Sequence, residues 1–208
     1  VNIIKNFTYK TDILGWMVES ELKVLETIAK QVPVNGNIVE VGSMFGRSAV
    51  CFAMSADPSV TINCIDYFPT DMRQQHGCSD EDSIKNSFPI ADKLYNVEQD
   101  FIENTKEFKN INMIKGDSPH ILVYTPDPID LFFLDAGHAN PNDWDNLCHF
   151  IPYMKLNGII AGHDYHPTQF PDVCENVRRL EELFDIKAEL YPGSSIWSIK
   201  VTKLINKV

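Results

Sequence analysis

Residues Asn37–Ser48 read NIVEVGSMFGRS. Ile38–Val41 is an apolar run of strand length, Gly42–Gly46 is a glycine turn, and a helix opens at Arg47. A buried strand that feeds a tight turn at a helix N-terminus makes a ligand cradle, because free backbone N–H groups and the positive end of the helix dipole converge there. Glu40 stands two residues before the first glycine, at the carboxyl end of the strand, where it can accept hydrogen bonds from a ligand ammonium or hydroxyl. The spacing is E-x-G-x-x-x-G rather than the G-x-G-x-x-G of a dinucleotide site, and Met44 occupies the middle position. A side chain there would crowd a pyrophosphate, so a ligand without phosphate and with a cationic amino-acid end fits better. The competing reading is a purely structural turn between strand and helix.

Outward from this stretch the chain alternates. Upstream, Ile13 to Lys30 carries a helical pattern, with Leu22, Leu25, Ile28 and Ala29 on one stripe and Glu19 or Ser20 near a possible start. Trp16 and Met17 face either the core or a substrate mouth, and the core is the better expectation. Downstream, Ser48–Ala56 predicts a helix, and Val60–Ile65 a second strand that ends in Asp66. Asp66 lies 24 residues beyond Gly42, close to where an acid at the tip of strand two holds ribose hydroxyls. Residues 67–100 are polar and long for a connection, which predicts a lid or substrate insertion with short helices around 82–87 and 91–98. Phe101–Phe108 is helical, and Ile111–Ile114 is a third strand that leads into Gly116-Asp117-Ser118-Pro119. Ile129–Leu134 is continuously apolar, hence a strand buried on both faces, and it ends in Asp135. A helix over Asn140–Met154, a strand over Gly158–Ala161 running into His163-Asp164, and a helix over Cys174–Leu183 follow.

Two closing strands fall near Ile186–Leu190 and Ile196–Val201, joined only by Tyr191-Pro192-Gly193-Ser194. So short a link forces antiparallel pairing, since a parallel return needs a dozen residues or more. The whole predicts a three-layer α/β/α fold: a doubly wound, mostly parallel seven-stranded sheet with an antiparallel last strand, forming a single domain over 1–208. An NAD-binding Rossmann sheet differs in that its sixth strand is parallel.

Composition narrows the partners. The 208 residues carry a net charge of −11 and 44% hydrophobic residues, ordinary for a soluble α/β chain. No basic run favours nucleic acid or an anionic membrane. Five scattered cysteines without C-x-x-C spacing argue against a zinc site or a disulfide framework. With no signal peptide and no bilayer-length apolar run, a cytoplasmic location is expected. A homodimer is compatible with the chain, although nothing in the sequence selects it.

Ligands of such sheets bind outside the carboxyl ends of the strands. Acids stand at five of these tips: Glu40, Asp66, Asp117, Asp135 and Asp164. Strands four and five are expected to be neighbours, which brings Asp135-Ala-Gly-His138 and His163-Asp164 together. Asp135 and Asp164 can share a divalent ion such as Mg²⁺ or Mn²⁺, with His163 a third ligand. His138, with an ordinary imidazole value near neutrality, suits a general base. Against this stands the plain reading of a strand-end histidine as a hydrogen-bonding residue.

The segments IVEVGSMFGRS, INCID, IKGDS, IDLFFLDAGH, NGIIAGHDY and SIWSIKV, in this order, resemble the methyltransferase-24 type of S-adenosylmethionine (SAM) dependent methyltransferases, which includes macrocin-type sugar O-methyltransferases. The likeness spans Ile38 to Val201. It implies that Glu40, Gly42 and Ser43 hold the amino-acid end of SAM, with Gly46, Arg47 and Ser48 along the same cradle. It further implies Asp66 and Tyr67 at the ribose, Asp117 and Ser118 by the adenine, and Asp135 beside the cofactor. Asp135, His163 and Asp164 would bind a metal, His163 standing where relatives often carry an acid or amide. Asp135 and His138 would be catalytic, His138 as the base. The expected activity is O-methylation of a small hydroxylated acceptor. The alternatives are an NAD(P)-dependent oxidoreductase, opposed by Met44 and the reversed strand, and a SAM-binding protein without catalysis, which would not need Asp135, His138 and Asp164.

Overall fold

A computed structural model of the chain describes residues 13–70, 96–116 and 126–206. In chain order the elements are α1 (Glu19–Ala29), β1 (Asn37–Val41), α2 (Arg47–Ser55), β2 (Thr61–Asp66), α3 (Val97–Thr105), β3 (Ile111–Lys115), β4 (Ile129–Leu134) and α4 (Asn142–Phe150). A 3₁₀ turn (Ile151–Tyr153), β5 (Met154–Gly162), α5 (Pro171–Phe184), β6 (Glu189–Leu190) and β7 (Trp197–Lys200) complete the list.

The seven strands form one sheet in the order β3-β2-β1-β4-β5-β7-β6. β1 pairs in parallel with β2 and β4, and β4 with β5, so the expected neighbourhood of strands four and five is observed. β7 runs antiparallel to both β5 and β6, as the short Tyr191–Ser194 link requires. The strand order reverses between β1 and β4, and the crevice at such a switch point is where open α/β sheets bind ligands.

Phe132 and Phe133 illustrate the layering. Successive strand side chains point to opposite faces. Phe133 packs edge-on to Phe52 of α2, centroids 5.4 Å apart, while Phe132 stacks on Phe150 of α4 at 4.9 Å. One core therefore lies under α1, α2 and α3 and includes Leu25, Phe45 and Phe101. The other lies under α4 and α5 and includes Leu147, Leu180 and Trp197. Each fully buried aromatic contributes on the order of 1.5–3 kcal/mol, which fixes the sheet between two helical layers.

Several boundaries move for identifiable reasons. α1 starts at Glu19, one of the two starts expected within the pattern read from Ile13, where Glu21 Oε2 reaches back to accept the Val18 N–H at 3.0 Å and closes the helix end. Met17 is buried, as expected, whereas Trp16 is half exposed. α4 stops at Phe150, where Pro152 lacks the N–H that an α-helix needs and the chain tightens to 3₁₀. α5 begins three residues early, at Pro171, a residue suited to a first helical turn. β6 has only two residues, because the Ala188 N–H is taken by Glu181 Oε1 at 3.0 Å instead of a strand partner. Within the segment expected as an insertion over 67–100, the Val97 N–H donates to the Pro69 carbonyl at 3.0 Å. The short helix expected over 82–87 and the N-terminal twelve residues lie outside the described residues. Of the one expected over 91–98 only 96–98 are described, where Val97 and Glu98 already belong to α3, which starts four residues ahead of the expected Phe101 with Asn96 as its cap.

Candidate active site

The turn after β1 is built by backbone proximity. Gly42 has φ +94°, and a Cβ there would sit 1.8 Å from the Asp135 carbonyl oxygen. Only glycine lets the ends of β1 and β4 meet so closely. Gly46, at φ +84°, caps α2, and its N–H donates to the Ser43 carbonyl at 2.7 Å. Met44 also takes a left-handed φ of 44°, but its side chain is buried in the α1/α2 core and does not fill the turn. This corrects the steric argument against a pyrophosphate. What Met44 denies a phosphate is its N–H, which donates to Asp66 Oδ2 at 2.7 Å. The N–H groups of the turn are thus partly committed to the protein rather than free.

Asp66 ends β2 beside this turn and is buried. Its Oδ2 takes Met44 N–H, and its Oδ1 takes Phe68 N–H at 3.2 Å. A carboxylate accepts about four hydrogen bonds, so capacity remains for a diol. Tyr67 stands next to it, partly exposed. Gly116, which follows β3, donates its N–H to the Asp66 carbonyl at 2.9 Å, so the tips of β2 and β3 adjoin. Asp117 and Ser118 lie outside the described residues.

Glu40 is completely buried beneath the turn. Its Oε2 accepts the Ser43 hydroxyl at 2.6 Å, while Oε1 lacks a well-aligned partner among the described residues. Burial pushes its carboxyl up to about 7, against the pull of Ser43 and Ser48 alongside. Arg47, on the first turn of α2, leans back toward α1: Nη1 donates to the Gly15 carbonyl at 2.8 Å, and its buried Nε has no partner among the described residues.

A second cluster occupies the tips of β4 and β5. His138 Nε2 lies 2.9 Å from Asp164 Oδ2 and 3.3 Å from Asp135 Oδ1. His163 Nδ1 lies 3.2 and 3.4 Å from the same two oxygens. The far nitrogen of His163, Nε2, is at ion-pair distance, 3.1 Å, from Glu21 Oε1, although not aligned as a hydrogen bond. Glu21 Oε1 also accepts the N–H and hydroxyl of Ser195, at 3.1 and 2.8 Å. The His138 ring packs on Phe170, centroids 4.9 Å apart. Ligand atoms of Asp135, His138 and Asp164 fall within 4.8 Å of one another, a spacing a single cation can span.

These charges set one another. Burial alone would lower both imidazoles, but Asp135 and Asp164 outweigh it and push His138 up to about 10. Burial opposes the same shift at His163, where Asp135, Asp164 and Glu21 push the ring up to about 12. The carboxyls move in the opposite sense. Although burial would raise them, the imidazoles hold Glu21 down to about 2 and Asp164 lower still. The near-neutral value taken for His138 from its residue type is therefore not the value this site gives it. With nothing else bound, His138 is a cation at neutral pH, and it becomes a base only when the field of the two aspartates is cancelled.

The structure thus brings Asp135, His138, His163 and Asp164 into one cluster, and Gly42, Ser43, Gly46 and Asp66 into an adjoining cradle. The reading from residues alone missed Glu21. Its signal was present: Glu21, Leu25 and Ile28 follow the i, i+4, i+7 spacing of the buried stripe, so an acid stood on an apolar face.

A family model described as "Methyltransferase domain", Methyltransf_24, matches residues 39–165. No curated protein matches the sequence. Among solved structures, a Staphylococcus aureus protein assigned as a caffeoyl-CoA O-methyltransferase superposes with a TM-score of 0.63 at 12% identity, covering 92% of this chain and 87% of that one. The O-methyltransferase NovP gives 0.61 at 19% identity, covering 88% and 79%. CalS11, a calicheamicin methyltransferase, gives 0.60 at 20% identity, covering 88% and 77%. At these identities the likeness is one of fold.

Proposed function

The chain belongs to the methyltransferase-24 family of SAM-dependent methyltransferases, and on that premise we propose that it methylates a hydroxyl of a small polyhydroxyl acceptor, a sugar or a related metabolite. The observation that carries the proposal is the convergence of Asp135, His138, His163 and Asp164 directly beside the Gly42 turn. A solved relative in fold, CalS11, is described as a TDP-rhamnose 3′-O-methyltransferase, which favours a sugar hydroxyl as acceptor. The nicotinamide reading is not favoured, given the family and the reversed β7.

Bound SAM supplies an electrophilic methyl group. Glu40, whose buried Oε1 lacks an aligned donor, is the acceptor for its ammonium, with Ser43 as the hydroxyl that ties the acid to the turn. Gly42, Gly46, Arg47 and Ser48 frame that end of the cradle. Asp66 spends its spare lone pairs on the ribose hydroxyls, with Tyr67 beside it. Asp117 and Ser118, which follow Gly116 in the sequence, are the residues proposed for the adenine. Asp135 and His138 face the acceptor, and His138 takes the hydroxyl proton at Nε2, a role worth on the order of 10²–10⁴ in rate.

The donor set fits a divalent ion. Asp135 and Asp164 supply two carboxylates, and His163 a nitrogen whose far side faces Glu21 at ion-pair distance; a carboxylate behind a metal-binding histidine is a common arrangement. A bound Mg²⁺ or Mn²⁺ would supply positive charge that acidifies the acceptor hydroxyl and cancels the field keeping His138 protonated.

Release of S-adenosylhomocysteine with a panel of free and nucleotide-linked sugars tests the proposal. Turnover is expected with at least one hydroxylated acceptor, and Asp135→Ala is expected to lower it by about 10²-fold or more. Undiminished turnover in Asp135→Ala would show that the chemistry lies elsewhere.

A further inference from the structure

Behind the His138 loop, on the α4/α5 side of the sheet, lies a cavity of about 10 Å³. That is room for a single water molecule. Leu134, Leu147 and Val173 are among its apolar walls, and His138, Asp143, His163 and Asn176 supply the polar ones. Asp143, in the first turn of α4, and Asn176, in the middle of α5, are each only 2% exposed. Yet Asp143 Oδ1 and Asn176 Oδ1 have no partner among the described residues. Both atoms are acceptors, so neither can satisfy the other. The missing partner is a donor with two hydrogens, and native interiors almost always supply one.

The remaining contacts of these two residues converge on the loop that carries His138. The backbone N–H groups of Gly137 and His138 lie near enough to the Asp143 carboxylate to favour its charged form, against the burial that raises it. Asn176 Nδ2 donates to Asn140 Oδ1 at 2.9 Å, and the Asn140 N–H donates to Asp172 Oδ2 at 3.0 Å. His138 itself sits at a left-handed φ of 57°, a conformation that a non-glycine residue keeps only where its surroundings hold it.

We propose that one buried water bridges Asp143 Oδ1 and Asn176 Oδ1, and that this bracket between α4 and α5 fixes the His138 loop. Asp143 and Asn176 are positioning residues that act through the loop. One carboxylate and one amide oxygen in a water-sized space do not suit a divalent ion, which takes six or more ligands. The consequence for catalysis rests on the reading of His138 as the base, whereas the bracket itself does not.

A high-resolution crystal structure of the full chain, before and after a rubidium soak, tests the occupant. Density bonded to both oxygens and unchanged by rubidium is expected. A rubidium anomalous peak would overturn the water in favour of a monovalent cation, and a dry or collapsed cavity would overturn the bracket. The His138 imidazole signals in ¹⁵N NMR test the positioning. Asp143→Ala is expected to shift and broaden them, and Asp143→Asn, which keeps an acceptor oxygen, to restore them. S-adenosylhomocysteine affinity should stay within about twofold in both variants, because the cradle lies across the sheet. Unmoved His138 signals in Asp143→Ala would overturn the bracket, as would an Asp143→Asn variant that behaves like Asp143→Ala. Should Asp143→Ala fail to fold, Asn176→Leu, which fills the space, is expected to move the same signals, and unmoved signals there would count equally against it. Failure of the unaltered protein to bind S-adenosylhomocysteine would sink the methyl-transfer role while leaving the bracket standing.

Discussion

The cradle after β1 and the cluster at the tips of β4 and β5 touch, but they are held by different forces. The cradle is held mainly by backbone, Gly42 against the Asp135 carbonyl and Gly46 against the Ser43 carbonyl, with one carboxylate, Asp66, accepting the Met44 N–H. The cluster is held by charge: two imidazoles set among Asp135, Asp164 and Glu21. Backbone contacts are indifferent to pH and intolerant of an added atom. Charge contacts tolerate small changes of shape and depend on pH. On the proposed function, the surface that binds and the centre that reacts have two different constructions, each suited to its task.

Adding one atom to the cradle should give the largest effect. In Gly42→Ala the new Cβ would lie 1.8 Å from the Asp135 oxygen and 2.4 Å from its carbon, backbone against backbone. Either the β1/β4 contact opens or the fold fails. Calorimetric titration and thermal melting should show S-adenosylhomocysteine binding weakened by about 100-fold or lost, a destabilisation of more than about 3 kcal/mol, or both. Wild-type binding in this variant would mean that the turn is not where the cofactor sits.

Removing a charge from the cluster should come next. Glu21→Gln leaves His163 facing an amide, and breaking a buried pair typically costs about 3–5 kcal/mol. The lower end is expected, since Asp135 and Asp164 remain. The pH dependence carries the sharper signature. Glu21 is held down to about 2, so its contribution is present above the ordinary carboxylate value of 4.5 and is lost as pH falls toward 2. His138 and His163 are raised to about 10 and 12, so their contribution is complete below 6.5 and drains away as pH rises through the alkaline range. Urea denaturation in a metal chelator should show stability declining on both sides of this window. In Glu21→Gln the alkaline decline should be shallower, and an unchanged profile would show that Glu21 does not hold the His163 charge.

The smallest effect is expected where the two constructions mix. Ser43→Ala removes the hydroxyl that donates to Glu40 Oε2 and leaves a second oxygen of that buried acid without a close donor. About 1–2 kcal/mol should be lost by urea denaturation, with the turn's backbone contacts intact. A loss as large as that of Gly42→Ala would erase the distinction between the regions.

The same distinction explains what could be read from residues alone. NIVEVGSMFGRS announced a strand, a glycine turn and a helix because local backbone chemistry dictates all three. The Tyr191–Ser194 link dictated the reversed strand, and IDLFFLD a doubly buried one. Glu40, Asp66, Asp135 and Asp164 were legible at the strand tips because strand ends were. Glu21 was not, because its partners His163 and Ser195 lie more than 140 residues away and only packing of α1 on the sheet brings them together. The direction of the Met44 side chain was hidden for the same reason: a left-handed φ turned it into the core. The charge state of His138 depends on two aspartates from different strands, so residue type could not supply it.

Calorimetric titration of the full chain with S-adenosylhomocysteine, in chelator and again with Mg²⁺, tests the central claim most directly. Micromolar binding, about −8 kcal/mol, is expected in both, because the cradle is assembled by backbone and needs no ion. The absence of binding in both would contradict the assignment of the cradle as a cofactor site.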